Sequence, residues 1–215
     1  LGCIVMQGYG LTETSPVTHV NPEDPAKIKL GSVGPPIANT ECMVVDLNTG
    51  NPKGVREEGE IWIRGPQVMK GYLNAPEATA FTLTPEGWLR TGDVGYVDED
   101  GYFYIVDRVK EMIKYKGLQI APAELEAVLL THPAVADAAV IPSPDPEAGE
   151  VPKAFVVLKP DIPTTAEDLM EYVAERVAPF KKIRRIEFVQ QIPKSPSGKI
   201  LRRVLVQQER ERHQT

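Results

Sequence analysis

The sequence predicts an α+β fold in which a β-rich, barrel-like or sandwich-like part precedes a compact α+β unit of about a hundred residues, an ordinary domain size. Short strand patterns broken by turns run from the start of the chain to about Val106. Helical and strand patterns mix after Asp107, and no internal repeat or low-complexity tract interrupts either part. We therefore place the boundary in "VDRVK", Val106 to Lys110.

The strands of the β-rich part are predicted from residues that alternate between apolar and polar. In "EIWIR", Ile61 and Ile63 alternate with Glu60 and Arg64, which is the period of a half-buried strand. Asp100-Gly101 supplies a turn before "YFYIV". The predicted strands are, in chain order, "CIVMQ", "ECMVVD", "EIWIRG", "WLRTGDVGYVD" and "GYFYIVD".

Two helices and three strands are predicted in the α+β unit. "APAELEAVLLTHP" has Pro122 in a first helical turn, and "TTAEDLMEYVAERVAP" begins with Thr165 and Asp168 as a capping box. Their apolar stripes at helical spacing are Leu125, Val128 and Leu129 in the first helix, and Leu169, Tyr172, Val173 and Val177 in the second. The predicted strands are "VADAAVIPSP", "VPKAFVVLKP" and "RRIEFVQQIP".

Composition and charge exclude several function classes. The net charge of −6 argues against a general nucleic-acid or membrane-surface binder, and no apolar run reaches the length of a membrane span. The local cluster "KKIRR" offers anion sites, although a solvated face is the favoured interpretation. Cys3 and Cys42 have no metal-like spacing, so we expect a reducing compartment, the cytoplasm. The start "LGCIVMQGYG" lacks an initiating Met and a basic signal-peptide start, and we expect it to be a cut through a longer protein.

The first candidate for ligand chemistry is "QGYGLTETSPV". A strand leading into Gly8-Tyr9-Gly10 predicts a tight turn where a ligand can approach the backbone. Tyr9 offers a flat surface, the Thr12 hydroxyl suits a phosphate oxygen, and the Glu13 carboxylate suits Mg²⁺. The alternative is an ordinary strand and turn with a surface carboxylate.

Two further segments carry charged candidates. Asp93, after a Thr-Gly turn, can accept hydrogen bonds from a ribose diol, but a turn aspartate that bonds its own backbone is the commoner case. "VDRVKEMIKYKGLQIAP" gathers cations beside a glycine, which indicates either anionic ligand chemistry or the polar edge of a hairpin. The residues concerned are Arg108, Lys110, Lys114, Lys116 and Gly117.

Lys199 lies on the loop-like segment "QIPKSPSGKILRR". A phosphate-binding loop of the Walker type is excluded, because that motif needs Gly where this chain has Pro193 and Ser or Thr where it has Ile200. The loop therefore needs another explanation.

The motifs taken together resemble a known family. In this order, "QGYGLTE", "GEIWIRGPQVMKGYLN", "WLRTGD", "DRVKEMIKYKGLQIAPAELE" and "PKSPSGKILRR" resemble the later core motifs of the adenylate-forming superfamily, across essentially the whole chain. The amino-acid sequences of these motifs are most similar to those of the acyl-CoA synthetase and 4-coumarate-CoA ligase branch. The resemblance implies that residues 1–106 end a large amino-terminal domain, that 107–110 form a hinge, and that 111–215 form a small mobile α+β lid domain.

The resemblance also implies a reaction and its site. Such enzymes activate a carboxylic acid with ATP and Mg²⁺ to an acyl-adenylate, and then transfer the acyl group to coenzyme A. By analogy, Gly8, Tyr9 and Gly10 line the adenine and acid pocket, Thr12 contacts the α-phosphate, Glu13 binds Mg²⁺, and Asp93 and Arg108 hold the ribose. Lys199 matches the lysine that bridges the attacking carboxylate and the α-phosphate, where a positioned ammonium offsets developing charge.

A swing of the lid about Lys110 is implied for the second half-reaction. It withdraws Lys199 and brings the segment of Lys114, Lys116 and Gly117 to the site, with room for the pantetheine arm beside the glycine. Pro16 and Val17 match positions that border the acid, so the end of the acid pocket is expected to be apolar.

One departure from the family limits the expected activity. No Ser/Thr/Gly-rich phosphate loop precedes "QGYGLTE". We therefore expect a carboxy-terminal portion of a fatty or aromatic acid-CoA ligase that is inactive alone, with the missing amino-terminal part, the acid, ATP and coenzyme A as its partners. The alternatives are a peptide-synthetase-like or luciferase-like adenylating enzyme and a noncatalytic binding fragment.

Overall fold

The computed structural model describes residues 3–160, 162–196 and 198–213, and it contains two compact units, Leu1–Val109 and Lys110–Thr215. The division falls inside the segment 107–110. Sheets and helices occur together in the chain, so the predicted α+β class is confirmed. No helix within the described ranges has the length and apolar character needed to cross a membrane.

The first unit is a four-stranded antiparallel sheet accompanied by a two-stranded hairpin. The hairpin pairs β1 (Gly8–Gly10) with β2 (Val17–Val20), and a short helix, α1 (Pro76–Thr82), lies between the second and third strands of the sheet in chain order. The sheet order is β3 (Glu41–Val45), β4 (Gly59–Arg64), β5 (Leu89–Val97) and β6 (Phe103–Arg108), which confirms the four strands predicted after the first.

The core of the first unit follows from the alternation in β4. Ile61 and Ile63 are fully buried, while Glu60 and Arg64, which flank them, are only half-buried. Val44 and Phe103 complete the buried cluster. Full burial of each such side chain contributes about 1.5–3 kcal/mol, so the β4 pattern identifies residues that stabilise this unit.

The predicted strand "CIVMQ" is wrong. Residues 3–7 are irregular, and Ile4 and Val5 are 58% and 73% exposed. The first strand starts at Gly8 because its antiparallel partner β2 reaches only that far. Before it, the Gln7 carbonyl accepts hydrogen bonds only from Asn21, from its backbone amide and its side-chain Nδ2, among the described residues.

The second unit is built on a long hairpin. Its elements are β7 (Ile113–Tyr115), β8 (Leu118–Ile120), α2 (Pro122–Leu130), β9 (Val135–Asp145), β10 (Gly149–Leu158), α3 (Ala166–Ala174), β11 (Arg185–Phe188) and α4 (Arg202–His213). β10 is antiparallel to β9 and β7 and parallel to β11. The two helices and three strands predicted here are confirmed.

Two separate apolar clusters form on the second unit. Leu125 and Leu129 of α2 and Leu169 and Val173 of α3 pack with alternate residues of β9 and β10, among them Val140. The intervening residues Ala139, Ile141 and Phe155 pack instead with Ile192 and with Leu205 of α4. Successive strand residues point to opposite faces, so the strands β9 and β10 bury both of their faces under helices.

The capping box of α3 is confirmed. The Asp168 amide donates to Thr165 Oγ1, and the Thr165 amide donates to Asp168 Oδ2, each at 3.1 Å. Both helix-terminal N–H groups are thereby satisfied, which places the start of α3 where the sequence predicts it.

Candidate functional site

The loop between β1 and β2 is organised by Thr14, a residue that the sequence analysis did not single out. Its Oγ1 accepts a hydrogen bond from the Leu11 amide at 3.0 Å and lies 2.9 and 2.8 Å from the carbonyl oxygens of Leu11 and Pro16. Thr14 is fully buried, whereas Thr12 is exposed and Glu13 is half-buried. The buried hydroxyl therefore holds a loop that presents another hydroxyl and a carboxylate at its surface.

Gly10 is required by the close approach of the two strands. A Cβ atom at this position would lie 1.8 Å from the Pro16 carbonyl oxygen, so no other residue fits without moving the backbone. At Gly8 the nearest atom would be the His19 carbonyl oxygen at 3.1 Å. The hairpin itself thus explains Gly10. Pro16 and Val17, the predicted acid-pocket residues, are both exposed at the start of β2.

The Glu13 carboxylate has a partner that the sequence analysis missed. The Tyr72 hydroxyl donates to Glu13 Oε1 at 2.8 Å, and the Met69 amide donates to the Glu13 carbonyl at 2.8 Å. The hydrogen bond to Glu13 raises the pKa of Tyr72. Tyr72 belongs to the motif "MKGYLN", but nothing in that pattern indicates which residue accepts a hydrogen bond from the tyrosine.

Glu13 is the residue that can take part in holding Mg²⁺. Within the described ranges, no three His, Cys, Asp or Glu side chains cluster as a metal site. Mg²⁺ in nucleotide enzymes is commonly held by one or two carboxylates together with substrate phosphates, so a single carboxylate beside the exposed Thr12 hydroxyl fits that donor set.

Asp93 lies between Tyr9 and Arg108. The Tyr9 hydroxyl donates to Asp93 Oδ2 at 2.6 Å, and Arg108 Nε lies 3.6 Å from Asp93 Oδ1. Asp93 and Arg108 are paired residues of β5 and β6, and Asp93 is 9% exposed. Burial and the neighbouring Asp93 charge raise the pKa of Tyr9, so Tyr9 keeps its proton and donates. Asp93 thus accepts a hydrogen bond from a side chain of β1, a strand that is distant in the sequence, and its contacts are not limited to its own turn.

The local backbone explains how Asp93 enters this position. Gly92 has φ +71°, a left-handed conformation that favours glycine, and its amide donates to Glu60 Oε1 at 2.9 Å. Thr91 Oγ1 donates to the Ile61 carbonyl at 2.7 Å. The predicted Thr-Gly turn is in fact an irregularity within β5, where the pairing with β4 shifts register.

His19 is a buried neighbour of Tyr9 that sequence reasoning passed over. Its ring centroid lies 5.7 Å from that of Tyr9 and 4.7 Å from that of Phe103, and Nδ1 is 3.0 Å from Thr18 Oγ1. Nε2 has no hydrogen-bond partner among the described residues. Burial lowers the pKa of His19 to about 4, so the ring is neutral near pH 7.

The predicted coenzyme A face lies in the second unit. Lys110 belongs to a 3₁₀ turn, Val109–Glu111, and the Lys114 amide donates to Glu150 Oε2 at 2.8 Å. Lys116 and Gly117 make the turn between β7 and β8, with φ of 49° and 81°. A Cβ at Gly117 would meet nothing within 4 Å, so the turn conformation accounts for the glycine and packing does not.

A cavity of about 250 Å³ opens beside that turn. Lys116, Arg184 and Arg185 bring cationic groups to it, and Asp145 and Glu147 bring carboxylates. Arg185 pairs with Asp145 at 3.5 Å. The Arg184 guanidinium lies over the Tyr115 ring, 5.0 Å from its centroid. Part of the predicted basic cluster therefore faces a concave site.

Lys199 is exposed on a closed loop of the second unit. The Lys199 amide donates to Ser195 Oγ at 3.1 Å, and the Ser195 amide donates to the Lys199 carbonyl at 2.9 Å. Gly198 takes φ +81° at the turn. Ser197, one of the serines noted in the motif, is outside the described residues.

Comparison with known proteins gives the following matches. Residues 1–73 match the AMP-binding enzyme family and residues 124–199 match the AMP-binding enzyme C-terminal domain, which together are more than half of the chain. A rice (Oryza sativa subsp. japonica) 4-coumarate--CoA ligase-like 6 is 56% identical over 95% of this chain and 34% of the relative. The peroxisomal OPC-8:0-CoA ligase 1 of Arabidopsis thaliana is 52% identical over 94% of this chain and 37% of the relative.

A solved structure agrees with the sequence relatives. The anthranilate CoA ligase AuaEII, crystallised in complex with anthranoyl-AMP, superposes with a TM-score of 0.84 and 34% identity over 100% of this chain and 40% of that one. The chain thus spans about a third of the length of the curated relatives it matches.

Proposed function

Because the chain belongs to the AMP-binding enzyme family, we propose that it is the carboxy-terminal part of an AMP-forming acid-CoA ligase. In the proposed reaction the substrate carboxylate attacks the α-phosphorus of ATP, the bond to the β-phosphate oxygen breaks, and pyrophosphate leaves. The coenzyme A thiolate then attacks the acyl carbon of the adenylate, and AMP leaves. The acid is fatty or aromatic.

The observation that carries the proposal is the buried Asp93 carboxylate held between Tyr9 and Arg108. A carboxylate accepts hydrogen bonds from both hydroxyls of a ribose, and an adjacent guanidinium offsets the cost of its burial. The neutral Tyr9 ring, with Gly8 and Gly10 around it, then offers a flat surface to adenine. Pro16 and Val17 are proposed to border the acid.

Thr12 and Glu13 are proposed to serve the phosphates. The Thr12 hydroxyl donates to an α-phosphate oxygen, and Glu13, oriented by Tyr72, takes part in holding Mg²⁺. When bound, the ion neutralises charge on the phosphate oxygens. The support for this assignment is that Thr12 is exposed and Glu13 half-buried on a loop fastened by buried Thr14.

The second unit is proposed to act as the mobile lid, turning at Lys110. In adenylation Lys199 offsets the negative charge of the attacking carboxylate and of the α-phosphate. In thioester formation Lys114, Lys116 and Gly117 replace it at the site. The Lys116 and Arg184 side chains at the cavity support this second role, because coenzyme A carries phosphates that such side chains bind, although the Asp145 and Glu147 carboxylates line the same cavity.

We further propose that the 215-residue chain does not turn over acid and ATP alone, since it spans only about a third of the length of the curated relatives it matches. The experiment uses a hybrid ligase: the amino-terminal two thirds of the Arabidopsis OPC-8:0-CoA ligase 1, up to its match with this chain, followed by this chain. Acid-dependent release of pyrophosphate and acylation of coenzyme A are measured with OPC-8:0.

We expect activity from the hybrid ligase and none from the chain alone. Robust pyrophosphate release by the chain alone contradicts the proposed need for a partner segment. A hybrid that forms adenylate but does not acylate coenzyme A contradicts the ligase assignment and favours another class of adenylating enzyme. AMP binding with no adenylation favours the noncatalytic alternative.

The proposed compartment is the cytoplasm. Cys3 and Cys42 are both free thiols, which suits a reducing compartment. Burial raises the pKa of the Cys42 thiol to about 12, so that side chain is protonated and unreactive at neutral pH. A fluorescent fusion of the protein that localises to peroxisomes contradicts the assignment.

A further inference from the structure

The backbone around Lys199 is closed on itself. Besides the two hydrogen bonds between Ser195 and Lys199, Lys194 and Ile200 form an antiparallel bridge, and the Leu201 amide donates to the Pro193 carbonyl at 2.8 Å. The position of Lys199 therefore depends on the contacts that hold the two ends of the loop 193–201, which we call the lysine loop.

Ion pairs hold both ends of the lysine loop to the second unit. At its start, Lys194 Nζ lies 2.6 Å from Asp137 Oδ2 of β9. At its end, Arg202 opens α4 and its guanidinium contacts Glu111 Oε2 at 2.7 Å and Glu126 Oε2 at 2.5 Å. The Arg202, Glu111 and Glu126 side chains are 17%, 23% and 9% exposed, against 37% for Lys194, so solvent screens the Arg202 pairs less.

The two carboxylates that meet Arg202 come from different elements. Glu111 directly follows Lys110, the proposed hinge. Glu126 belongs to α2, and its Oε1 also accepts the Val140 amide of β9 at 2.8 Å. One planar guanidinium thus joins the segment after the hinge, the α2 helix and the end of the lysine loop, a geometry that the single ammonium of a lysine does not reproduce.

We propose that Arg202 is a positioning residue for Lys199. Through its ion pairs with Glu111 and Glu126, Arg202 fixes the position of Lys199 relative to the segment that follows Lys110. Arg202 acts through the loop and does not touch the reacting groups. The inference rests on the proposed function of Lys199 in adenylation. A misplacement of about 1 Å can cost on the order of 100-fold in rate, and the loss falls on the half-reaction that uses Lys199.

The first test compares half-reactions in the hybrid ligase. We expect Arg202→Met to lower adenylate formation by roughly 10- to 100-fold, with thioester formation from supplied acyl-adenylate nearly unchanged. Arg202→Lys should recover only part of the loss, and Glu111→Gln should lower the same half-reaction. The matched control is Arg212→Met, which removes another α4 arginine that is ion-paired, to Glu187. It should leave both half-reactions unchanged.

Equal losses in both half-reactions, or no loss in Arg202→Met, overturn the inference. If the unmodified hybrid ligase forms no adenylate, the proposed function fails instead. Whether Arg202 holds the lysine loop in place is then decided by amide hydrogen exchange on the 215-residue chain.

In that measurement Arg202→Met should speed exchange of the Ser195, Gly198 and Lys199 amides by roughly tenfold or more, since their hydrogen bonds open locally. Exchange in β9 and β10 should not change, and Arg212→Met should have no effect on the lysine loop. Unchanged exchange in the lysine loop of Arg202→Met, or faster exchange throughout the second unit, means that Arg202 does not position Lys199.

Discussion

Single residues of the first unit carry the proposed nucleotide site, and Asp93 has the clearest expected effect. Asp93→Ala removes the acceptor for the ribose hydroxyls, and each hydrogen bond to a charged group contributes about 1.5–3 kcal/mol. We expect AMP affinity in the hybrid ligase to fall by at least about tenfold, a change of roughly 1.4 kcal/mol, measured by fluorescence titration.

Tyr9→Phe is the matched variant for Asp93→Ala. It removes the 2.6 Å hydrogen bond to Asp93 but keeps the aromatic surface, so the loss of AMP affinity should be smaller. If Asp93→Ala binds AMP as tightly as the unmodified protein, Asp93 does not hold the ribose.

The buried His19 makes the stability of the first unit depend on pH. Its pKa falls from 6.5 to about 4 on folding, so the unfolded state binds more protons below pH 6.5 and stability is lost as pH falls from 6.5 toward 4. Between pH 7.5 and 5 the expected loss is about 2 kcal/mol. The chain's two tryptophans, Trp62 and Trp88, lie in this unit, so urea unfolding followed by their fluorescence measures it.

His19→Leu is the control for that measurement. His19 is the only histidine of residues 1–109, so its replacement should flatten the dependence of the urea midpoint on pH in this window. An unchanged slope between pH 7.5 and 5 in His19→Leu means that another group is responsible.

Among the elements, α4 is fastened to the sheet by a buried ion pair. Lys153 Nζ of β10 lies 2.5 Å from Glu209 Oε2, and Glu209 Oε1 accepts a hydrogen bond from Ser143 Oγ at 2.6 Å. The Lys153 and Glu209 side chains are 11% and 3% exposed. Removing one partner of such a pair leaves an uncompensated buried charge at a cost of about 3–5 kcal/mol.

Lys153→Met should therefore destabilise the second unit by about 3 kcal/mol. Amide exchange in β10 is the measurement, with Trp fluorescence showing an unchanged first unit. Lys181→Met, which removes a more exposed pair with Glu124, should cost less than about 1 kcal/mol. Equal destabilisation of the second unit by the two variants would contradict the prediction that the buried Lys153–Glu209 pair contributes more than the more exposed Lys181–Glu124 pair.

Elements with a clear hydrophobic period were predicted correctly, whereas the helices α1 and α4 were missed. The β4 alternation and the α3 stripe both mark a face that is buried in the structure. By contrast, α1 buries none of its residues, and its Phe81 is 76% exposed. The α4 helix has Leu205 and Glu209 as its buried residues within the described side chains, so its pattern carried little apolar signal.

For the whole molecule, the two half-reactions should separate at Lys199. In the hybrid ligase Lys199→Ala should lower adenylate formation by roughly 100- to 1,000-fold, because it removes a charge aimed at the transition state. Thioester formation from supplied acyl-adenylate should be nearly unchanged. Lys159→Ala, at another exposed lysine of the second unit, is the control. Equal loss of both half-reactions contradicts the assigned function of Lys199.

The sequence by itself determined the α+β class, the strands β3 to β6 and β9 to β11, and the helices α2 and α3. Hydrophobic periodicity marks an element with one buried face, and a continuous apolar run marks strands such as β9 and β10, which are buried on both faces. Motif order also singled out the candidate residues Tyr9, Asp93 and Lys199. Only the tertiary structure decided what these residues meet. Tyr9 bonds an aspartate 84 positions away, and Arg202 joins carboxylates 91 and 76 positions away. Such pairings depend on how distant strands and helices pack, which no local pattern of residues specifies.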